Sequence, residues 1–362
     1  GARVNMRTLG FVGTAKNTGK TTAAVHMLGL IEAAGLSTAL TSIGFDGENT
    51  DHITGLPKPR YQASRGMWVA TADSLLNYGS AVFDQVQPTG LRIILGEIVI
   101  ARVAQPGTVA LAGPNRRVDI RHLLGQLTSL SVDLAMVDGA LNRLAALSLA
   151  DGLVLSTGAA FDERIEIIAA HAAAMESLFH YPASPDWPAD LPGQVTVRTA
   201  DGHSHTLATS SVLDEPTMLE LAALLTPGEP AACLIPGVFS PPLFKTLLER
   251  VPGRLSGKRF TFASPVNLLA TGQPETWQSA FAALQTSGGS LFYHAPVPLC
   301  FLTLNPFFPR YLQKTGAYVA EYVDKFHLLQ SAREKITRTA VIDIQQPPHP
   351  DLLALCHLTP KN

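Results

Sequence analysis

Gly13-Thr14-Ala15-Lys16-Asn17-Thr18-Gly19-Lys20-Thr21 follows an apolar run at residues 8–12 and leads into a stretch of helical periodicity. Strand, glycine-rich turn and helix, in that order, build a cradle for phosphate. Gly13 and Gly19 let the backbone turn tightly and aim its N–H groups inward, while the helix N-terminus adds positive potential. Lys20 then reaches the β- and γ-phosphates, and Thr21 offers its hydroxyl to a Mg²⁺ ion bridging them. Thr14, Ala15, Lys16, Asn17 and Thr18 form the wall of the loop, and Thr22 begins the helix proper. The stretch predicts a bound nucleoside triphosphate with Mg²⁺. One spacing departs from the standard G-x-x-x-x-G-K-[ST] loop: an extra residue separates Gly13 from Gly19. In the helix expected over 21–34, Ala24, Met27, Leu28 and Ile31 share one face, Gly35 ends it, and His26 points away toward solvent.

The chain has 362 residues, of which 46% are hydrophobic and 15% charged, enough for one large α/β domain or two smaller ones. A formal net charge of −2 and the lack of a Lys/Arg-rich tract argue against nucleic acid as a partner. The three cysteines, Cys233, Cys300 and Cys356, are distant in sequence and sit among apolar neighbours, which predicts buried thiols in a reducing compartment. No signal-like segment opens the sequence, so a cytoplasmic location is expected. The uncharged stretch 276–309 is broken too often by Gln, Ser, Gly, His and Pro to span a membrane, and reads as helix, turn and buried strand.

Strand candidates at 8–12, 38–43, 96–103, 134–137 and 152–155 alternate with helix candidates at 21–34, 119–130 and 162–179, the last capped by Asp162. This alternation predicts an α/β, doubly wound, mostly parallel sheet around the loop. A Pro-, Ser-, Asp- and Trp-rich shift at 181–192 suggests a boundary. The expected division is a nucleotide-binding core at 1–179, a linker with a small β excursion at 180–230, including a hairpin about Asp201-Gly202, and a C-terminal α/β half at 231–362 that completes or packs on the core. In that half, strands are expected at 231–235, 259–262, 299–304 and 341–344, with a loop after 304.

A phosphate loop needs an acidic partner for its metal. Asp138, after the apolar run 134–137 and before Gly139, fits a carboxylate at the carboxyl edge of the sheet, where such sites form; an Asp-Gly turn with local hydrogen bonds is the other reading. Asp46, after the second strand, reads as a ligand to Mg²⁺ through water or as the group orienting the attacking water, or else as a turn residue. Lys58 and Arg60, in Gly55-Leu56-Pro57-Lys58-Pro59-Arg60, either contact phosphate or carboxylates or form an exposed basic loop. Glu97, a carboxylate in the apolar run 93–103, either faces the site or pairs with an arginine such as Arg102. Asn305-Pro306 either places an amide against a nucleobase edge or ends the strand before it.

Together, residues 13–22, 41–48 with 55–60, 96–113, 138–143, 156–159 and 304–309 resemble the ATPase subunit of the lysine 5,6-aminomutase reactivase, a P-loop NTPase related to dethiobiotin synthetase. The longer loop is similar to that of the synthetase, and Ala15 stands where relatives often carry a second lysine, with Lys16 one step later. The resemblance implies an accessory ATPase that uses ATP and Mg²⁺ to restore an adenosylcobalamin-dependent aminomutase, acting on that enzyme or with a second reactivase subunit, and a homodimer is one possible assembly. It further implies that Gly19, Lys20 and Thr21 hold phosphate and metal and that Asp138 is the Mg²⁺-linked carboxylate. The alternatives are an ATP-dependent ligase of the dethiobiotin synthetase type and a nucleotide-binding scaffold without hydrolysis. No Asn-Lys-x-Asp guanine signature ends a strand, which favours ATP over GTP.

Overall fold

The computed structural model describes residues 6–45, 60–140, 146–187 and 192–361. The chain opens with β1 (Arg7–Gly13), α1 (Lys20–Ala33) and β2 (Thr38–Ser42). It continues through β3 (Tyr61–Ala63), β4 (Trp68–Ala72), β5 (Val82–Ile93), β6 (Gly96–Gln105) and β7 (Gly107–Val109), then α2 (Arg117–Thr128), β8 (Leu134–Ala140), β9 (Gly152–Gly158) and α3 (Ile165–Leu178). Next come β10 (Thr196–Thr199), β11 (Ser204–Thr206), α4 (Glu215–Ala223), β12 (Ala231–Ile235), α5 (Pro241–Arg250), β13 (Lys258–Phe262), α6 (Pro265–Thr271), α7 (Pro274–Thr286) and β14 (Ser290–Tyr293). The last stretch holds β15 (Leu299–Asn305), β16 (Phe307–Leu312), β17 (Ala317–Tyr322), α8 (Lys325–Lys335), β18 (Val341–Ile342) and α9 (Leu352–Leu355).

The protein is α/β with mixed sheets. A nine-stranded sheet runs β18-β15-β9-β1-β8-β2-β4-β6-β5. From β18 to β4 every pairing is parallel, and β6 and β5 add an antiparallel edge. Successive side chains of the central strands leave on opposite faces. Leu40 and Met136 join Ala24, Met27, Leu28 and Ile31 of α1, while the adjacent Ala39 and Ala135 join Leu123 and Leu127 of α2. Both faces are thus covered by helix, which is why all five residues of β2 and all seven of β9 are buried, the polar Thr38, Thr41, Ser42, Ser156 and Thr157 included. The edge strand β5 carries Pro88 and breaks of register near Val82, Phe83 and Pro88, features that discourage pairing with another chain.

Two compact units divide the chain: residues 1–170 with 298–362, and residues 171–297. This differs from the expected breaks after 179 and 230. The segment expected to be a linker contributes β10 and β11 to a second, five-stranded sheet, β11-β10-β12-β13-β14. The end of the chain is no separate half, because β15 and β18 add to the first sheet through the apolar register Leu302 to Leu155 and Leu302 to Val341. The second unit is built around Phe244, Phe262, Trp277 and Phe281, whose rings meet at centroid distances of 5.4–6.0 Å. Its buried Tyr293 hydroxyl donates to the Leu178 carbonyl at 2.6 Å. Among the described residues, no helix is long and apolar enough to cross a membrane.

Local expectations also shift. Asp162 does not cap α3, which starts at Ile165; its carboxylate accepts from the Arg164 backbone and guanidinium, which hold its pKa down to about 2. Glu97 neither faces the loop nor pairs with Arg102: its Oε1 accepts from the Gly90 amide across the β5–β6 turn, at 3.1 Å. His26 is half-buried, edge-on to His349, and burial followed by the His349 charge lowers its pKa.

Asp133, just before β8, fixes the start of β2. Its Oδ2 accepts from Ser37 N at 2.7 Å and Ser37 Oγ at 2.8 Å, and lies 2.6 Å from Lys361 Nζ. Burial by itself would raise this carboxyl, but Lys361 and Ser37 outweigh it and hold the pKa below the ordinary value. A carboxyl with a depressed folded pKa contributes its stability above the unfolded value of about 3.9 and loses it as pH falls through the folded value. Asp133→Asn is therefore expected to cost about 1–3 kcal/mol at neutral pH and to lessen the further loss of stability below about pH 4. Urea titrations of both proteins at several pH values measure this.

Candidate functional site

Four neighbouring parallel strands end at the same edge of the first sheet. In register, Gly13 sits opposite Ala140 on one side and Ser156 on the other, and Asn305 sits opposite Gly158. The ends of β1, β8, β9 and β15 thereby gather residues widely separated in sequence.

The loop after β1 is closed by its own side chains. Thr18, almost fully buried, donates through Oγ1 to the Ala15 carbonyl at 2.9 Å. Gly13 is required beneath it, since a Cβ there would lie 2.7 Å from Thr18 Oγ1. The backbone then takes left-handed conformations at Asn17 (φ 63°) and Gly19 (φ 88°) before α1 begins at Lys20. Thr14 fastens the near side of the loop: its amide donates to Ser156 O at 3.0 Å and its hydroxyl to Thr157 Oγ1 at 2.8 Å. Asn305 fastens the far side, donating from Nδ2 to Asn17 O at 3.1 Å while its Oδ1 accepts from Phe307 N at 3.2 Å.

Lys20 points back across β1 to β8. Its Nζ lies 2.5 Å from Asp138 Oδ1 and donates to Gly139 O at 3.1 Å. Both side chains are about one-fifth exposed, so the pair is open to solvent and to a ligand at the sheet edge. Tyr61 is buried nearby; burial first, and then the Asp138 charge, push its phenol well above the usual tyrosine range, leaving a neutral group behind the carboxylate. The first-turn amides of α1 have no carbonyl partners within the helix, and its dipole is positive at that end. The arrangement offers an anion a lysine ammonium and a helix N-terminus, with a carboxylate within reach. Among the described residues no three His, Cys, Asp or Glu side chains form a metal-binding cluster. A divalent cation here would depend on one carboxylate, the Thr21 hydroxyl, water and the ligand's own oxygens.

Beside the loop is a cavity of about 690 Å³ lined by Ala15, Lys16 and Asn17, by residues 159–164, and by Phe308 and Pro309. On its rim Arg310 bridges Glu163 at 2.9 Å and Glu321 at 2.7 Å.

The structure thus brings Gly13, Thr14, Gly19, Lys20, Thr21, Asp138 and Asn305 to one edge. Asn305 is the exception in role: its amide oxygen and nitrogen both engage backbone at the loop and at β16, so it holds the loop rather than presenting a free edge to a base. Asp46, Lys58 and their neighbours lie outside the described residues. The roles of Thr157 and Tyr61 and the Arg310–Glu163 bridge went unread in the sequence because each acts through a partner more than 70 residues away; a local hint was the polar pair Ser156-Thr157 within an otherwise apolar strand.

Asn305→Ala is expected to lower global stability by only about 1 kcal/mol, the worth of one partly exposed hydrogen bond, while amide hydrogen exchange at 15–19 speeds up relative to β1. Unchanged exchange in the loop would mean that the Asn305 tether does not hold it. No family model matches this chain, and no curated protein matches it.

Proposed function

We propose that residues 13–22 bind the triphosphate of ATP within a P-loop NTPase fold and that the protein hydrolyses ATP with Mg²⁺. The observation that carries this reading is the contact of Lys20 with Asp138. A lysine that opens a helix after a glycine loop meets a strand-end carboxylate 118 positions later, and this pairing of charges suits a phosphate–metal site. The fit of the loop to phosphate is supported by Gly13, whose missing Cβ leaves room for Thr18, and by the left-handed Gly19 that turns the chain into α1. Hard oxygen donors, Thr21 and Asp138, suit Mg²⁺, which when bound neutralises charge between the phosphates.

In this reading Lys20 exchanges Asp138 for the phosphate oxygens and keeps positive charge where negative charge develops. The α1 N-terminus orients the β-phosphate. Asp138, relieved of Lys20, serves the metal, and Asp46 is proposed to orient the attacking water. The cavity beside Ala15–Asn17 is of a size to take the nucleoside end. The segments that resemble the reactivase ATPase lead us to propose further that hydrolysis serves to reactivate an adenosylcobalamin-dependent aminomutase.

Lys20→Ala is expected to weaken ATP binding by about 2–3 kcal/mol, or roughly 30- to 150-fold in Kd, with the thermal transition little changed; isothermal calorimetry measures it, and retained affinity would remove the assignment. Asp138→Asn is expected to lower Mg²⁺-dependent kcat by about a hundredfold while Kd for ATP without metal changes little, and equal turnover would show that Asp138 does not serve the metal. A slow basal rate that rises when a cobalamin-dependent aminomutase is added supports the accessory role, whereas turnover strictly dependent on a small carboxylate or amine would assign a ligase instead.

A further inference from the structure

The stretch after Asn305, expected to be a loop, is a two-stranded antiparallel ribbon whose faces differ sharply in chemistry. Phe307 pairs with Tyr322, Pro309 with Ala320 and Tyr311 with Tyr318. Because alternate residues of a strand share a face, these six residues lie together. None is charged. The opposite face carries Phe308, which is buried, and Arg310, held by Glu163 and Glu321. Around Phe308 and Arg310 that side is occupied by the protein's own groups, while Leu312 and Val319 are exposed on it nearer the turn, and the aromatic side is the more open of the two.

The openness is large. Tyr311, Tyr318 and Tyr322 are 53%, 70% and 68% exposed, and their rings meet in cross-strand pairs, Tyr311 tilted against Tyr318 at 5.1 Å and Phe307 edge-on to Tyr322 at 5.7 Å. Exposed aromatic side chains in a contiguous patch mark interaction surfaces rather than ordinary solvent-facing residues.

We propose that this face is where a second copy of the chain docks, ribbon against ribbon across a two-fold axis. Two features favour a like partner. A face without Asp, Glu, Lys, Arg or His offers nothing for a charged partner to complement, yet two such faces meet without repulsion and with tyrosine hydroxyls able both to donate and to accept. The area is also sufficient. With roughly 200 Å² per aromatic side chain, the exposed parts of the three tyrosines supply about 400 Å² per copy and about 800 Å² per pair. Phe307, Pro309, Ala320 and the ribbon backbone carry the total toward the ~1,000 Å² of a weak but specific interface. A weak dimer of this kind is sought at micromolar concentrations, and it does not depend on the nucleotide reading.

Sedimentation equilibrium of the full chain from about 1 to 100 μM spans that range. The expected result is a concentration-dependent monomer–dimer equilibrium, with the dimer Kd raised about tenfold or more by Tyr318→Glu and unchanged by Leu213→Glu, at an exposed apolar position of the other unit. Far-UV circular dichroism confirms that each variant is folded. An equimolar mixture of Tyr318→Glu and Tyr318→Lys is expected to regain the dimer, since opposite charges then meet across the axis. A wild-type protein that stays monomeric throughout, or a dimer indifferent to Tyr318→Glu, overturns the proposal.

Discussion

Everything at the candidate site depends on β1 lying between β8 and β9 in parallel register, with all three ending at one edge. Phe11 faces Asp138 and Val12 faces Gly139 along β8, so the loop leaves β1 just as the Asp138 carboxylate emerges. A slip of one residue along β8 would turn Asp138 to the opposite face of the sheet and part it from Lys20. The apolar neighbours prevent that slip: Met136 must join α1 on one face and Ala135 must join α2 on the other. Burial on both faces therefore fixes the geometry of a pair of charges that itself stays partly open to water.

The same constraint separates what could be read in the sequence from what could not. The glycine loop was legible because its physics is local: strand, left-handed glycine and helix start follow one another within a dozen residues. Asp138 was legible because an apolar run ending in Asp-Gly announces a strand reaching the edge. Much of the interior α/β order was legible for the same reason, since buried parallel strands are mostly apolar and uncharged. Asn305 was placed correctly at the edge, but its role was not legible, because its partner Asn17 is 288 positions away and nothing in Leu304-Asn305-Pro306 indicates it. The division into units differs from the expected bounds on topology: a strand such as β15 looks alike whether it founds a new sheet or returns to complete an old one. The ribbon of β16 and β17 was hidden by Pro306 and Pro309, which ordinarily count against a strand, although Pro309 is tolerated in a two-stranded ribbon with free edges.

These distant contacts give the loop a particular mechanical character. Its near side is anchored to β9 through Thr14, and its base is braced internally by Thr18 against Ala15. Gly158, whose Cβ would fall 2.0 Å from Asn305 O, lets β9 and β15 close tightly where the loop passes over them. The far side, about Asn17, is held by the Asn305 side chain. Such a loop is held in shape before any ligand arrives, which reduces the ordering cost of binding.

That side chain also touches the ribbon. Asn305 donates to Asn17 in the loop and accepts from Phe307, the first residue of β16 and a member of the uncharged aromatic face. A displacement of β16 therefore reaches the loop through this amide group at the end of β15. Packed interiors resist continuous deformation, so a partner acting on the sheet would have to move more contacts than one seated on the ribbon. If the proposed docking face and the proposed nucleotide loop influence each other, Asn305 is the residue through which the coupling is physically shortest.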